Sequence, residues 1–199
     1  MTHSSGTLVG PRHVATAKHC APSGEENVGV SVRFMPAFDQ GERLGGSGVT
    51  NVISLEGYSV GNDPVTSCDW KEDWAIFILA DDLGSQNGFL GALLVGDEDT
   101  GKPDFSNYGY PGDLDNGSRP YRSTGNTIHP GPYTCDAYGP YESDADISGG
   151  QSGGPIWKND EGGTPYLYAI VSGTSPSHSI FSGGDNLLKF ILKTREDYP

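Results

Sequence analysis

Residues 149 to 155 read Gly-Gly-Gln-Ser-Gly-Gly-Pro, and the remainder of the chain is interpreted around this stretch. Ser152 is a candidate nucleophile, which needs a base to remove its proton and a carboxylate to orient that base. The flanking glycines let a substrate carbonyl approach the backbone, so that the N–H groups of Gly150 and Ser152 can bind one oxyanion. The alternative is an ordinary glycine-rich turn, because glycine is common in this sequence.

The composition of the 199-residue chain indicates one large all-β domain or two small subdomains. Its 30 glycines and 14 prolines separate short apolar runs, a pattern typical of many strands joined by turns. The net charge of −14 argues against nucleic acid and anionic membranes as partners. No apolar run approaches the roughly 20 residues of a membrane-spanning helix, and the polar residues 1–5 do not resemble a signal peptide.

Two further stretches supply candidate partners for the serine. Thr-Ala-Lys-His-Cys, residues 16–20, places His19 just past a predicted strand, although a histidine in such a place is more often structural. Asp-Trp-Ala-Ile-Phe-Ile-Leu, residues 73–79, places one acid before a predicted buried strand, so Asp73 needs a partner such as a histidine N–H to stay charged. Four nearby acids are interpreted as solvated surface charge: Asp69, Glu72, Asp81 and Asp82.

The cysteines give no sign of a metal site. Cys20, Cys68 and Cys135 lack metal-ligand spacing, so we expect no structural zinc and no cofactor. Their odd number fits either a reduced protein or a secreted protein with one disulfide and one free thiol. His129 is interpreted as a loop histidine.

The three stretches occur in the order His, Asp, Ser, and in this they resemble the chymotrypsin-like serine proteases, not subtilisins or α/β-hydrolases. Residues 108–113 and Gln151 are similar to one branch, the trypsin-like proteases related to the glutamyl endopeptidases of bacteria and fungi. The resemblance implies an all-β fold of two antiparallel six-stranded β-barrels, with the histidine and the acid in residues 1–96 and the serine in residues 97–199. We expect the first barrel to lack its N-terminal strand, as in a fragment without prosegment or signal peptide.

The apolar residues near the end of the chain recur at helical spacing. They predict a short C-terminal helix, which Asp185 or Asn186 would cap.

The resemblance also implies a role for each matching residue. His19 is expected to be the general base, Asp73 to hold its tautomer, and Ser152 to attack the peptide carbonyl. The N–H groups of Gly150 and Ser152 are expected to form the oxyanion hole. Ser172 is expected to support Asp73, on a strand that pairs with the substrate backbone.

Four residues bear on substrate preference. Asp146 falls where trypsin-type enzymes hold the acid of the primary pocket, which predicts cleavage after Arg or Lys; the alternative is an acid that does not set specificity. Glutamyl pockets usually have a histidine where this chain has Val171, so glutamate preference is not expected. Next to Ser172, Gly173 replaces the tryptophan of many relatives, so we expect one open pocket wall.

Two departures from the resemblance concern activation and the disulfide. Gln151 replaces the aspartate that a newly cleaved N-terminus pairs in zymogen-type relatives, so the oxyanion hole is either preformed or ordered by another contact. The usual partner of the cysteine after the histidine is missing, since Ser4 stands near its place. Because the resemblance brings His19 to Asp73, it implies a Cys20–Cys68 disulfide and a free Cys135.

These interpretations predict a secreted, monomeric serine endopeptidase that acts on peptides or proteins. Two alternatives remain open: a noncatalytic homologue that binds peptide or protein in the same cleft, and an esterase that uses the same triad.

Overall fold

The computed structural model describes residues 3–22, 31–58 and 66–199. Most of the regular structure is β-strand, in two curled antiparallel sheets. The alternating residues 28–34 predict a half-buried strand, of which residues 28–30 lie outside the described residues. The strands are β1 Thr7–Gly10, β2 His13–Thr16, β3 Arg33–Phe34, β4 Ser47–Ser54, β5 Ala75–Leu79, β6 Gly91–Ala92, β7 Phe105–Gly109, β8 Tyr121–Asn126, β9 Tyr141–Ser143, β10 Pro155–Asn159, β11 Pro165–Thr174 and β12 Ser179–Gly183; the helices are α1 Ser67–Lys71, α2 Gly84–Asn87 and α3 Asp185–Asp197.

The first sheet has the order β1-β2-β5-β4-β3, with β5 at its centre. All five residues of β5 are buried, as the apolar run predicts, because β2 and β4 flank the strand and both of its faces are covered. The antiparallel register pairs Thr16 with Ala75. The chain therefore leaves β2 toward His19 at the same end of the sheet at which it enters β5 from Asp73.

The second sheet has the order β8-β7-β10-β11-β12-β9, and β6 pairs with β11 in parallel. Its longest strand is β11, whose Ile170 pairs with Pro155 at the start of β10. This register places the turn that carries Ser152 beside Ser172, the residue two positions beyond Ile170.

The C-terminal helix α3 is confirmed, and it packs against the core. Leu187 and Ile191 are buried in one apolar cluster with Trp74 of the first half and Ile170 of the second. The helix follows Gly184, whose position as N-cap corrects the expectation of a cap at Asp185 or Asn186. Within the described residues, no helix has the length and apolar character that crossing a membrane requires.

Candidate active site

His19 lies on a 3-10 turn, Lys18–Cys20, that follows the end of β2. The Lys18 ammonium anchors this turn by donating to the carbonyl oxygens of Leu55 and Tyr58, at 2.6 and 3.0 Å. The side chain of His19 is 31% exposed. The turn therefore presents the imidazole at the surface while its backbone is held in place.

Asp73 is fully buried directly before β5 and binds His19 through both carboxylate oxygens. Its Oδ2 lies 2.7 Å from Nδ1 of His19, and its Oδ1 accepts the His19 backbone N–H at 3.0 Å. A carboxylate can only accept here, so Nδ1 carries a proton, and in the neutral ring Nε2 is the nitrogen that can accept one. The same hydrogen bond raises the pKa of His19 above its usual 6.5, because the buried carboxylate stabilises the imidazolium.

Two serines of the second sheet complete the surroundings of Asp73. The Ser172 hydroxyl donates to Oδ2 of Asp73 at 2.5 Å, and the Ser182 hydroxyl donates to the Asp73 carbonyl oxygen at 2.9 Å. Ser172 stands where the resemblance expects it, whereas no pattern in the sequence pointed to Ser182. With three donors on its two oxygens, the Asp73 carboxylate has the partners that a buried charge requires.

Ser152 is half-buried on a turn that packs against the end of β2. The Gly153 N–H donates to the Val171 carbonyl at 2.9 Å, and a Cβ atom on Gly153 would lie 2.2 Å from Oγ1 of Thr16. Only glycine fits so close an approach, which brings Ser152 to the same side of the molecule as His19. Among the contacts of the described residues, none joins Ser152 Oγ to His19 Nε2, a bond that often tightens only when substrate binds.

The backbone around Gly150 leaves two N–H groups free. The Gly149 carbonyl accepts a hydrogen bond from the Gly112 N–H at 2.7 Å. Because the C=O and N–H of a trans peptide point in opposite directions, this bond turns the Gly150 N–H away from Gly112. Within the described ranges, neither the Gly150 nor the Ser152 N–H donates to a protein acceptor. Both of the N–H groups that the resemblance expects as oxyanion donors therefore lack a protein acceptor in this part of the chain.

Gln151 is buried, and its amide holds the turn in place of an acid. Its Oε1 accepts the Ser148 N–H at 2.8 Å, and its Nε2 donates to Oδ1 of Asn107 at 3.1 Å. The Asn107 amide in turn donates to the Pro155 carbonyl at 2.9 Å. A neutral amide chain thus bridges both ends of the serine turn. No sequence pattern pointed to Asn107, which lies 44 residues before Gln151.

The residues expected to contact substrate differ in their exposure. The Asp146 side chain is exposed, whereas Val171 is buried in the apolar core of the second sheet. A Cβ atom on Gly173 would lie 2.4 Å from the Trp70 indole, so this ring covers Gly173. The pocket wall that was expected to be open at Gly173 is therefore covered by Trp70 of α1. The sequence does not predict this contact, because the two residues are about 100 positions apart.

The disulfide joins Cys68 to Cys135, with 5.0 Å between the Cα atoms, and Cys20 is free. The expected Cys20–Cys68 pair is wrong. Contact between His19 and Asp73 does not extend to Cys68, because α1 intervenes and directs Cys68 toward the loop that carries Cys135. The Cys20 thiol instead lies 3.8 Å from the Ser152 carbonyl oxygen.

Glu72 is buried, which corrects its interpretation as surface charge. Its carboxylate accepts hydrogen bonds from Lys71, Trp74 and Asn186, each at 2.9 Å. The Lys71 ammonium also pairs with Asp136 at 2.8 Å. These contacts join α1, α3 and the loop of Cys135, and because Glu72 directly precedes Asp73 in the chain, they hold the backbone from which Asp73 projects.

A cavity of about 690 Å³ lies away from the residues of the candidate active site. It lies against β7, β8 and β10, and Lys158 in its wall pairs with Asp99 at 2.8 Å and Asp104 at 3.3 Å. These charges neutralise one another within the wall of the cavity.

Comparison with known proteins finds similarity in structure only. No family model and no curated protein matches the sequence. A Glu endopeptidase solved in complex with MPD superposes with a TM-score of 0.71 at 18% identity, over 97% of this chain and 85% of that one. This chain has the chymotrypsin-like fold. The thermostable serine protease AL20 from an extremophilic microorganism gives a TM-score of 0.67 at 21% identity, over 98% of this chain and 89% of its own. Protease Anisep from Arthrobacter nicotinovorans gives a TM-score of 0.69 at 19% identity, over 96% of this chain and 88% of its own.

We predict that Gln151→Leu lowers both stability and turnover. The change leaves the Ser148 N–H and Asn107 Oδ1 without a partner, each at a cost of about 1 to 3 kcal/mol. Misplaced oxyanion donors reduce kcat by about 10². Urea unfolding and ester hydrolysis measure the two effects, with Gln86→Leu on exposed α2 as the matched control. Wild-type kcat in Gln151→Leu would show that this amide does not order the turn.

We predict that Asp73→Asn lowers the pKa of His19 toward 6.5. The carboxylate that stabilises the imidazolium is lost, so the base becomes neutral at lower pH than in the wild type. Turnover at neutral pH nevertheless falls by about 10⁴-fold, since an amide at this position no longer selects the productive tautomer. An NMR titration of the His19 ring reports the pKa, with Asp197→Asn on the surface of α3 as control. A pKa equal to that of the wild type would contradict the assignment.

Proposed function

We propose that this chain is a serine endopeptidase that hydrolyses peptide bonds through an acyl-enzyme. The observation that carries the proposal is the hydrogen-bonded set of His19, buried Asp73 and Ser172, with Ser152 on the adjoining turn. The Gly150 and Ser152 N–H groups, both without a protein acceptor in the described residues, add the second requirement of acyl transfer. Two of the similar structures are titled proteases and one a Glu endopeptidase, which supports the same reaction class.

In the proposed reaction, Ser152 Oγ attacks the carbonyl carbon while its proton passes to His19 Nε2. The C=O π electrons move to oxygen, and the resulting oxyanion accepts hydrogen bonds from the Gly150 and Ser152 N–H groups. Asp73 stays ionised and stabilises the imidazolium. The intermediate then collapses: the C–N bond breaks, His19 protonates the leaving amine, and an ester to Ser152 remains. Water, deprotonated by His19, hydrolyses this ester by the same steps.

The environment of the chain fits an extracellular enzyme. The Cys68–Cys135 disulfide requires an oxidising compartment to form and persist. We therefore propose that the protein is secreted. We also propose that it is a monomer and that its substrates are peptides or proteins. The net charge of −14 steers basic partners toward the surface and repels nucleic acid and anionic membranes.

Two other functions are compatible with this cleft. A noncatalytic homologue would bind peptide without turnover, but the ordered His19–Asp73 pair would then have no purpose in binding. An esterase would use the same triad on small esters. Digestion of casein, compared with hydrolysis of short-chain nitrophenyl esters, separates the esterase from the endopeptidase.

The proposal is tested by a fluorophosphonate probe, which reacts only with an activated serine. We expect covalent labelling of Ser152 in the wild type and none in Ser152→Ala, whose turnover falls by about 10⁴-fold or more. Ser148→Ala is the matched control, since this serine lies on the same turn and its hydroxyl bonds Asp113. If the folded wild-type protein is not labelled, the enzyme proposal is wrong. If the probe labels another serine, that serine and not Ser152 is the nucleophile.

The proposed preference for Arg or Lys rests on Asp146 and is expected to be weak. An ion pair with so exposed a carboxylate contributes about 1 kcal/mol or less, which corresponds to a selectivity of up to about fivefold. We predict that Asp146→Ser removes this preference from the cleavage profile of a peptide library, read by mass spectrometry, with Asp144→Ser as control. A stronger preference that survives Asp146→Ser would assign specificity to other residues, and cleavage after glutamate would overturn the expectation drawn from Val171.

A further inference from the structure

A second group of functional side chains lies outside the triad, where three half-buried residues meet: His129, Glu142 and His178. One ligand atom from each lies within 4.8 Å of the others. Within residues 3–22, 31–58 and 66–199, this is the one group of three His, Cys, Asp or Glu side chains close enough to hold a metal ion. We propose that these three residues bind a zinc ion.

The backbone holds the three residues in adjacent positions. The His129 N–H donates to the Glu142 carbonyl at 2.9 Å. Glu142 also pairs with Ile180 in the ladder between β9 and β12, two positions after His178. The His178 carbonyl accepts the Ser175 N–H at 2.8 Å, which closes the turn between β11 and β12. Three neighbouring segments therefore fix the Cα positions, and only side-chain rotation is needed to converge on an ion.

The distances are close to those of a zinc site. Tetrahedral zinc with bonds of about 2.0 to 2.1 Å separates its ligand atoms by about 3.3 to 3.4 Å. Nδ1 of His178 lies 3.3 Å from Oε2 of Glu142, and the rings of His129 and His178 meet edge to face with centroids 4.5 Å apart. The exposed fractions of the His178 and Glu142 side chains, 32% and 45%, leave room for the remaining adjustment and for a water as fourth ligand.

The types of the three ligand atoms indicate which metal ion the site would bind. Two imidazoles and one carboxylate suit zinc and similar transition-metal ions, whereas calcium and magnesium prefer oxygen ligands alone. Glu142 is the ligand that carries a negative charge, which partly neutralises a divalent cation. The net charge of −14 on the protein also favours the binding of cations. No sequence motif predicts this site, because the three residues lie in separate segments and come together only through the sheet.

A bound ion would stiffen the turn that leads back to the candidate active site. His178 ends the turn after β11, the strand of Ser172, and the next residue, Ser179, donates its hydroxyl to the Ala145 carbonyl at 2.6 Å. Ala145 directly precedes Asp146. Zinc would therefore hold β12 and β9 together beside the segment that carries Asp146. Any effect on peptide cleavage rests on the proposed protease function, whereas binding itself does not.

The test uses the full chain after treatment with a chelator. Calorimetric titration with ZnCl₂ is expected to show one zinc per chain, and cobalt is expected to give the visible absorption bands of tetrahedral Co²⁺. The melting temperature should rise by about 5 to 10 °C when free zinc is about 100 times its Kd. These readouts need no catalytic activity, so they hold or fail independently of the protease proposal.

Glu142→Gln and His178→Ala are expected to weaken zinc binding at least on the order of tenfold. Glu142→Gln preserves the shape of an exposed side chain and guards against misfolding, and Glu161→Gln on an exposed loop is the matched control with unchanged affinity. Absence of binding at millimolar zinc would overturn the proposal. So would binding that survives both substitutions but disappears in Cys20→Ser, because the ion would then occupy His19 and Cys20.

Discussion

Asp73 has no exposed surface, yet the proposed chemistry needs its carboxylate to be charged. An isolated carboxylate in such a place would take up a proton, so the ionised form depends on the donors that reach it. His19 supplies two of these donors from the first half of the chain, and Ser172 supplies the third from the second sheet. The hydrogen bonding of this acid therefore depends on both halves of the chain, since neither half alone supplies all three donors.

The turn that carries Ser152 is held by hydrogen bonds between neutral groups. Gln151 and Asn107 connect the Ser148 N–H to the Pro155 carbonyl without any charge, and Gly112 fixes the Gly149 peptide. Neutral amides do not titrate, so these hydrogen bonds do not depend on the ionisation of a buried acid. This arrangement bears on the question that Gln151 raised in the sequence: hydrogen bonds to neutral groups hold the serine turn in the folded chain.

The sequence predicted the features that local patterns encode. The buried strand after Asp73, the terminal helix and the order of the three candidate residues are all visible in short stretches, because periodicity and spacing determine them. Features that depend on the path of α1 were not visible. The burial of Glu72, the cover of Gly173 by Trp70 and the pairing of Cys68 with Cys135 all follow from where this five-residue helix points. The group at His129, Glu142 and His178 was missed for a similar reason, since only sheet register brings it together.

The Cys68–Cys135 bond also changes what a single break in the backbone would do. It closes a loop with a sequence separation of 67 residues, and such a closure removes about 4 kcal/mol of chain entropy from the unfolded state. A cut between residues 69 and 134 would separate His19 from Ser152 along the backbone, yet both fragments would remain one covalent molecule. If a protease cleaves the chain in this segment, the disulfide therefore keeps the two fragments at the high effective concentration of a tethered pair.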